Sequence, residues 1–368
     1  MKLRILHLMS CQGWSSDAYW AARMVAEQQR LGHEVVLAVR DGTRILAQLA
    51  AMGAGDLLPL RLTGGLAPAS DLRDLFALRT LLPRFDLVHV HRGKEHWLAA
   101  LAPSPIPIVR TRHIVGPIRP HPLNRWLYAR TALVVAVAEA IGAHYRALGL
   151  LPPDRLAVLH GGVDAAAFRP GLDGTAVRRI YGIPDKAPLV GVVAGLRAMK
   201  GHVTFLEAVA GLAHRVPAAR FLLMGQGPEE AAIRREIARL GLGERVILAG
   251  YVEPLPPALC ALDVAVYPSR TSEGMGRALF EYMAAGCPIV ATRVGVAPEV
   301  LVDGESALLV PPGAPEALAA AIARLLDDPA LARGLGRAAC RAVEARYAGG
   351  EVARRLVELY AGLLGGRG

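Results

Sequence analysis

Short apolar runs alternate with longer helix-like stretches along the whole chain, and this alternation narrows the available folds more than any other feature. In the first half, residues 3–8, 34–39, 87–90, 106–110, 133–137 and 156–159 read as strands, with helical stretches at 17–31, 72–81 and 138–148. In the second half, strands read at 189–194, 220–224, 246–248, 264–267 and 288–291, and helices at 202–216, 228–240, 276–285 and 315–326. Runs without polar alternation belong to strands buried on both faces, and strands that alternate with helices form parallel sheets with crossover helices. The expected class is therefore α/β, with a doubly wound unit in each half. Residues 169–186 carry Pro and Gly without a strand pattern and mark a boundary. The expected domains are 1–175 and 176–349, with an amphipathic helix at about 350–364 that crosses back onto the first. A length of 368 residues suits two domains. In doubly wound sheets ligands bind beyond the carboxyl ends of the strands, so the motifs at those ends carry the functional reading.

The net charge of +10 is unevenly placed. Residues 1–180 hold 22 Lys and Arg against 13 Asp and Glu, or +9, leaving 20 against 19, or +1, for the remainder. Nine of the eleven histidines also fall in the first part. A basic half beside a neutral half points to an anionic partner. Nucleic acid is not expected, because the chain has no aromatic-interleaved basic patch, helix-turn-helix signature or zinc motif. An anionic membrane surface or a phosphorylated acceptor fits better. No apolar run approaches the roughly 20 residues needed to span a bilayer, and the apolar part of MKLRILHLMS is too short for a secretion signal. Cys11, Cys260, Cys287 and Cys340 are scattered without metal-ligand spacing, as in a reduced, cytoplasmic protein.

The stretch PSRTSEGMGRALFEYMAAG, residues 268–286, follows the apolar run DVAVY. It reads as strand, turn-rich loop and a helix that stops at Gly286. Glu273 lies in the loop and Glu281 about a turn and a half into the helix. Free N–H groups near Gly274, Met275 and Gly276 suit a phosphate, while two carboxylates suit the hydroxyls of whatever carries it. Such a pair taken alone reads sooner as a helix-start Glu and a solvated helix Glu, since charged residues mostly lie on surfaces. Arg197 and Lys200, ahead of Gly201 and after the first strand of the second half, are spaced as a diphosphate clamp. Gly225-Gln226-Gly227-Pro228-Glu229-Glu230 invites a dinucleotide reading, but Glu230 stands where the third glycine would be. Near the N-terminus, residues 10–17 form a polar loop into a helix, with Gly13 able to approach a phosphate and Asp17 as the expected N-cap. An ordinary turn explains that loop as well. Arg110-Thr111-Arg112-His113 ends another strand, and His89 and His91 flank an earlier one.

Residues 263–310 resemble the donor half of the retaining GT-B glycosyltransferases usually called GT4, and the likeness extends over nearly the whole chain, most weakly before residue 100. R-x-x-K-G at Arg197, Lys200 and Gly201, G-x-G-P at Gly225 and Gly227, and the E-x7-E pair are the motifs that carry it. The resemblance implies a GT-B fold, two Rossmann-like domains facing across a cleft with the donor in the C-terminal one. It implies transfer of a sugar from a nucleotide diphosphate, UDP- or GDP-linked, to an acceptor hydroxyl with retention. Glu273 would hold sugar hydroxyls beside the anomeric carbon, Glu281 the nucleotide ribose, and His113 would orient the sugar and support developing positive charge. Arg197 and Lys200 would stabilise the departing diphosphate. Gly13, Gly225, Gly227, Tyr251, Val252 and the backbone of Gly274, Met275 and Gly276 would line the donor site. Gly161, Gly162, Val163 and Asp164 resemble the family's hinge, with Gly161 in place of the commoner Asn. A single Gly13 beside Trp14 departs from the family's Gly-Gly pair, and no Asp-x-Asp occurs, so no metal and no cofactor are expected. The implied acceptor is a glycan or glycolipid, such as a lipopolysaccharide or capsule precursor, at the inner face of the cell membrane. Two rivals remain: a nucleotide-sugar epimerase of the same fold, which needs a different acid/base set, and a non-catalytic anion- or membrane-binding protein. The last would explain the charge asymmetry but not the strand-end motifs.

Overall fold

A computed structural model describes residues 1–365 other than Arg44, Ser272 and Glu273. The chain divides into two compact units, Met1–Gly162 with Tyr347–Gly368, and Val163–Arg346. The first holds a seven-stranded parallel sheet built from β1 (Arg4–Met9), β2 (Glu34–Arg40), β3 (Asp56–Leu60), β4 (Leu87–Val90), β5 (Ile108–Arg112), β6 (Thr131–Ala136) and β7 (Leu156–Val158). Its order is β3-β2-β1-β4-β5-β6-β7. The second holds β8 (Leu189–Val193), β9 (Arg220–Met224), β10 (Val246–Gly250), β11 (Val264–Tyr267), β12 (Ile289–Thr292) and β13 (Leu308–Val310), ordered β10-β9-β8-β11-β12-β13 and also parallel. In both sheets the strand order reverses beside the first strand, at β1/β4 and β8/β11, which places a ligand crevice beyond those carboxyl ends.

Two strands, β3 and β13, lie outside the expected set, and both are edges. β3 carries Pro59, which an edge tolerates because one side of the strand needs no ladder bond. β13 has three residues and pairs only with β12. Central strands are legible because both faces are covered: every residue of β4 and β12 is buried.

In the first unit the helix Ser16–Arg30 lies on the sheet through Trp20, Ala21, Met24 and Val25. The helix Gly349–Gly365 packs on it through Val352, Ala353, Leu356 and Tyr360, spaced to form one helical face. Asp17 is not the N-cap: Ser15 takes that position, and Asp17 sits in the first turn, where Arg92 draws its carboxylate away from the helix N–H groups. The chain leaves the unit at Gly161 and Gly162, both at positive φ. A Cβ on Gly161 would lie 2.7 Å from the Tyr347 carbonyl oxygen, and the Gly162 N–H donates to that oxygen at 2.9 Å. The outgoing and returning strands of chain are thus held together by backbone that only glycine lets approach.

Residues 169–186 lie wholly in the second unit. Arg178 fixes them by donating to the Ala261 carbonyl and the Asp263 carboxylate, each at 3.0 Å. β8 and β11 pair only at Val190 and Gly191 before diverging. Tyr282, on the helix Arg277–Ala284, bridges the gap: its hydroxyl accepts from Val193 N–H at 2.5 Å and donates to the Val266 carbonyl at 3.4 Å. A buried backbone N–H left without that partner would cost about 1–3 kcal/mol, so the bridge secures the sheet where the crevice opens.

Candidate functional site

In the second unit the strand-end loops are knitted together through glycines. Gly225, with φ 152°, would place a Cβ 2.0 Å from the Ala194 carbonyl oxygen, and one on Gly227 would lie 2.4 Å from that of Leu196. Leu196 N–H donates to Gln226 O at 3.0 Å, Glu229 N–H to Leu196 O at 3.0 Å, and Gly225 N–H to Gly250 O at 2.7 Å. The ends of β8, β9 and β10 therefore share one backbone network, and the two glycines are required by packing there. On the other side a Cβ on Gly201 would lie 1.9 Å from Pro268 O, and Arg270 N–H donates to Met199 O at 2.8 Å. This contact sets the Arg197–Lys200 turn directly against the loop after β11.

Arg197 is exposed and has no ion pair among the described residues, while Lys200 is half-buried. Tyr251 is exposed and Val252 half-buried just past β10. Gly274 and Met275 are buried. Gly276, at φ 64°, caps the helix Arg277–Ala284 and would clash with Val296 Cγ1 at 2.4 Å if it carried a Cβ. Glu273 lies outside the described residues. Glu281 is not a solvated helix residue: it is 2% exposed and accepts from Arg277 Nε at 2.7 Å. Burial raises its carboxyl pKa, and the Arg277 guanidinium opposes that rise. Behind Gly201, His202 opens the next helix with its ring buried. Burial lowers its pKa to about 4, helped by Lys200 and opposed by a hydrogen bond to the Arg197 backbone. Among the described residues no group of His, Cys, Asp or Glu is placed to hold a metal ion.

In the first unit His113, just past β5, belongs to a buried stack of four imidazoles. His7, His89 and His91 stack at ring distances of 4.7–5.2 Å, His91 and His113 at 5.5 Å, and the Trp20 edge closes on three of them. Burial lowers the His113 pKa to about 3; Asp17 opposes this and Arg110, Arg92 and Arg112 reinforce it. Gly13 stands in the exposed loop after β1, where its carbonyl accepts from the Cys11 thiol at 2.9 Å. That loop is tied to the end of β4 twice. Arg92 Nε donates to Asp17 at 2.6 Å, and Glu95 accepts from the N–H of Arg92 at 2.7 Å and of Ser10 at 3.3 Å. The Asp17 pKa would rise on burial, but hydrogen bonds from Arg92 and Ser15 hold it down at about 2.

The sequence alone does not single out His7, Gln28, Tyr360, Arg277 or His202. His7 announces itself only through strand register, since it pairs with His89 across β1 and β4. Arg277 was legible as a partner four residues before Glu281, and His202 as a histidine adjoining the R-x-x-K-G motif.

Residues 18–167 match the family model for Glycosyltransferase Family 4, and residues 187–328 that for glycosyl transferases group 1. Among curated proteins the chain is 31% identical over 278 residues to the D-inositol 3-phosphate glycosyltransferase of Segniliparus rotundus, a match covering 69% of this chain and 61% of that one. It is also 31% identical over 274 residues to the GDP-mannose-dependent alpha-(1-6)-phosphatidylinositol monomannoside mannosyltransferase of Mycolicibacterium smegmatis, covering 68% of this chain and 72% of the relative. A solved glycosyltransferase from Rickettsia africae superposes with a TM-score of 0.88 at 21% identity, covering 99% of both chains.

Proposed function

The chain belongs to the group 1, or GT4, glycosyl transferases, with the GT-B fold class, and on that footing we propose that it moves a sugar from a nucleoside-diphosphate sugar to an acceptor hydroxyl with retention of anomeric configuration. The observation that carries this reading is the close backbone contact of Gly201 with Pro268, which sets the turn bearing Arg197 and Lys200 against the start of the loop after β11. Arg197 and Lys200 neutralise the leaving diphosphate. Glu281, oriented by Arg277, accepts from the ribose hydroxyls, and Glu273 from those of the transferred sugar. His113 orients a sugar hydroxyl. No protein nucleophile is assigned.

A thermal-shift series with UDP-, GDP-, ADP- and CMP-sugars tests the donor assignment. One nucleotide class at about a hundred times its Kd is expected to raise the midpoint of the second unit by roughly 5 °C or more. Glu281→Gln is expected to lose most of that rise relative to its own ligand-free midpoint. If no sugar nucleotide moves the wild-type midpoint, the donor reading fails. Coupling at the product's anomeric carbon reads retention directly.

The acceptor we propose is a phosphorylated or lipid-linked polyol presented at an anionic membrane surface, in envelope glycan synthesis on the cytoplasmic face. Relatives named for an inositol phosphate and a phosphatidylinositol mannoside support this class. Residues 61–130 hold eleven Lys and Arg against four Asp and Glu. All four carboxylates are engaged: Asp71 by Lys94, Asp74 by the N–H groups of Arg61 and Leu62, Asp86 by Arg4, and Glu95 by backbone. Leu72, Arg73, Phe76 and Arg79 share an exposed face of the helix Pro68–Leu81, beside the exposed Leu66. No helix among the described residues is long and apolar enough to cross a membrane. The chain is expected to bind vesicles containing phosphatidylglycerol at low salt, and the double variant Arg73→Glu, Phe76→Ser to bind at least tenfold more weakly. Absence of binding by the wild-type chain at low salt removes the membrane from this reading.

A further inference from the structure

We propose that Gln28, His7 and His91 form a hydrogen-bonded relay that decides which nitrogen of His113 carries the proton, leaving the His113 Nδ1 lone pair as an acceptor for a substrate hydroxyl. The relay concerns residues for which the transferase reading assigns no role, and the ligand part of the proposal rests on that reading. Gln28 is the starting point, with its amide oxygen facing His7 and its amide nitrogen facing Tyr360. An amide oxygen only accepts, and Gln28 Oε1 lies 2.9 Å from His7 Nε2, so that nitrogen carries hydrogen. The ring is buried and neutral, so His7 Nδ1 is bare. It lies 3.0 Å from His91 Nε2, which must donate to it. His91 Nδ1 is then bare in turn, and it faces His113 Nε2 at 3.2 Å. The proton of His113 is thereby placed on Nε2. Its Nδ1 is buried, without a hydrogen bond among the described residues, and able only to accept.

A second arm leaves the other end of the Gln28 amide. Gln28 Nε2 donates to the Tyr360 hydroxyl at 3.4 Å, and that hydroxyl donates to His89 Nδ1. His89 Nε2 then donates to Thr111 Oγ1 at 2.6 Å. Both arms run outward from one amide, and nowhere does donor meet donor or acceptor meet acceptor. Turning the amide over would reverse every bond in both arms together. Gln28, His7 and His91 are accordingly positioning residues, and Tyr360 on the returning helix holds the nitrogen end of the amide. A buried nitrogen left bare is uncommon in a folded chain. Here it selects a ligand group that donates, a sugar or polyol hydroxyl, and rejects a phosphate or carboxylate oxygen at the same point.

The test is long-range proton–nitrogen correlation NMR of the full chain labelled with 15N-histidine, at neutral pH. His7, His91 and His113 are each expected as the single neutral tautomer protonated on Nε2. Gln28→Leu is expected to lose that single-tautomer pattern at all three rings, and Gln28→Glu, which keeps an acceptor facing His7, to restore it. A proton on Nδ1 of His113 in the wild-type chain, or an unchanged pattern in folded Gln28→Leu, overturns the relay. Sugar nucleotide and a polyol acceptor, added separately, identify the hydroxyl's source by which of them shifts the His113 Nδ1 resonance upfield. If transfer is measurable and neither ligand shifts that resonance, the acceptor role is overturned. If the tautomers hold and no sugar transfer occurs with any donor, the relay stands and the transferase reading is what fails.

Discussion

Lowering the pH from 7 to 5 is expected to destabilise the first unit by on the order of 5–10 kcal/mol and the second, through His202 alone, by only about 2 kcal/mol. Five buried histidines of the first unit, His7, His89, His91, His96 and His113, have pKa values pushed down by burial, to about 4 for His7 and about 3 for His113. In the unfolded chain the same rings take up protons near pH 6.5. Below that pH the unfolded state binds more protons than the native one, so stability falls as pH falls, by about 2 kcal/mol per ring at pH 5. The loss continues until the folded values are reached. Asp17 opposes it by attracting a proton to His113, but burial of the ring is the largest influence there, and Arg110, Arg92 and Arg112 act in the same direction as burial. Of the eleven histidines only His202 and His214 lie in the second unit, and only His202 is buried. All four tryptophans, Trp14, Trp20, Trp97 and Trp126, fall in the first unit, so tryptophan emission in a urea titration reports on that unit alone. Equal urea midpoints at pH 7 and pH 5 would show that these rings are not held neutral.

The second large effect is kinetic. Arg197→Ala and Lys200→Ala are each expected to lower kcat by about 10²–10³-fold, the usual loss for one group aimed at charge that develops in a transition state. KM for the donor should change less, because the diphosphate's negative charge grows as the sugar departs. The exposed Arg197 has no ion pair among the described residues, so its removal should leave the melting midpoint within about a degree. Lys200 is half-buried and is the less clean probe. Steady-state rates of donor consumption check both, and a loss of less than tenfold in either variant would remove that side chain from the clamp.

Much of this protein is decided locally, and that part can be read from its sequence. A strand covered on both faces is mostly apolar, which is why β1, β4, β8, β9 and β11 stand out, whereas Pro59 interrupts the pattern of β3 and three residues are too few to mark β13. A turn that must deliver a guanidinium and an ammonium needs Arg197, Lys200 and a following glycine within five residues, and such a demand shows as a motif. The spacing of Gly225 and Gly227 suggests a ligand they would approach; the structure adds that they are needed to let the β8 and β9 loops touch. Other features depend on which strands become neighbours. His7 joins His89 and His91 only because β1 pairs with β4 across some eighty residues of chain. Gln28 and Tyr360 reach that stack only because two helices from opposite ends of the sequence pack together. Glu281 lies in a helix whose sequence suits either a solvated or a buried carboxylate, and packing chose burial, with Arg277 as its partner. Spacing along one strand or one helix is a local property, and composition records it; proton positions in a buried network depend on partners distant in sequence, and only the folded chain brings those together.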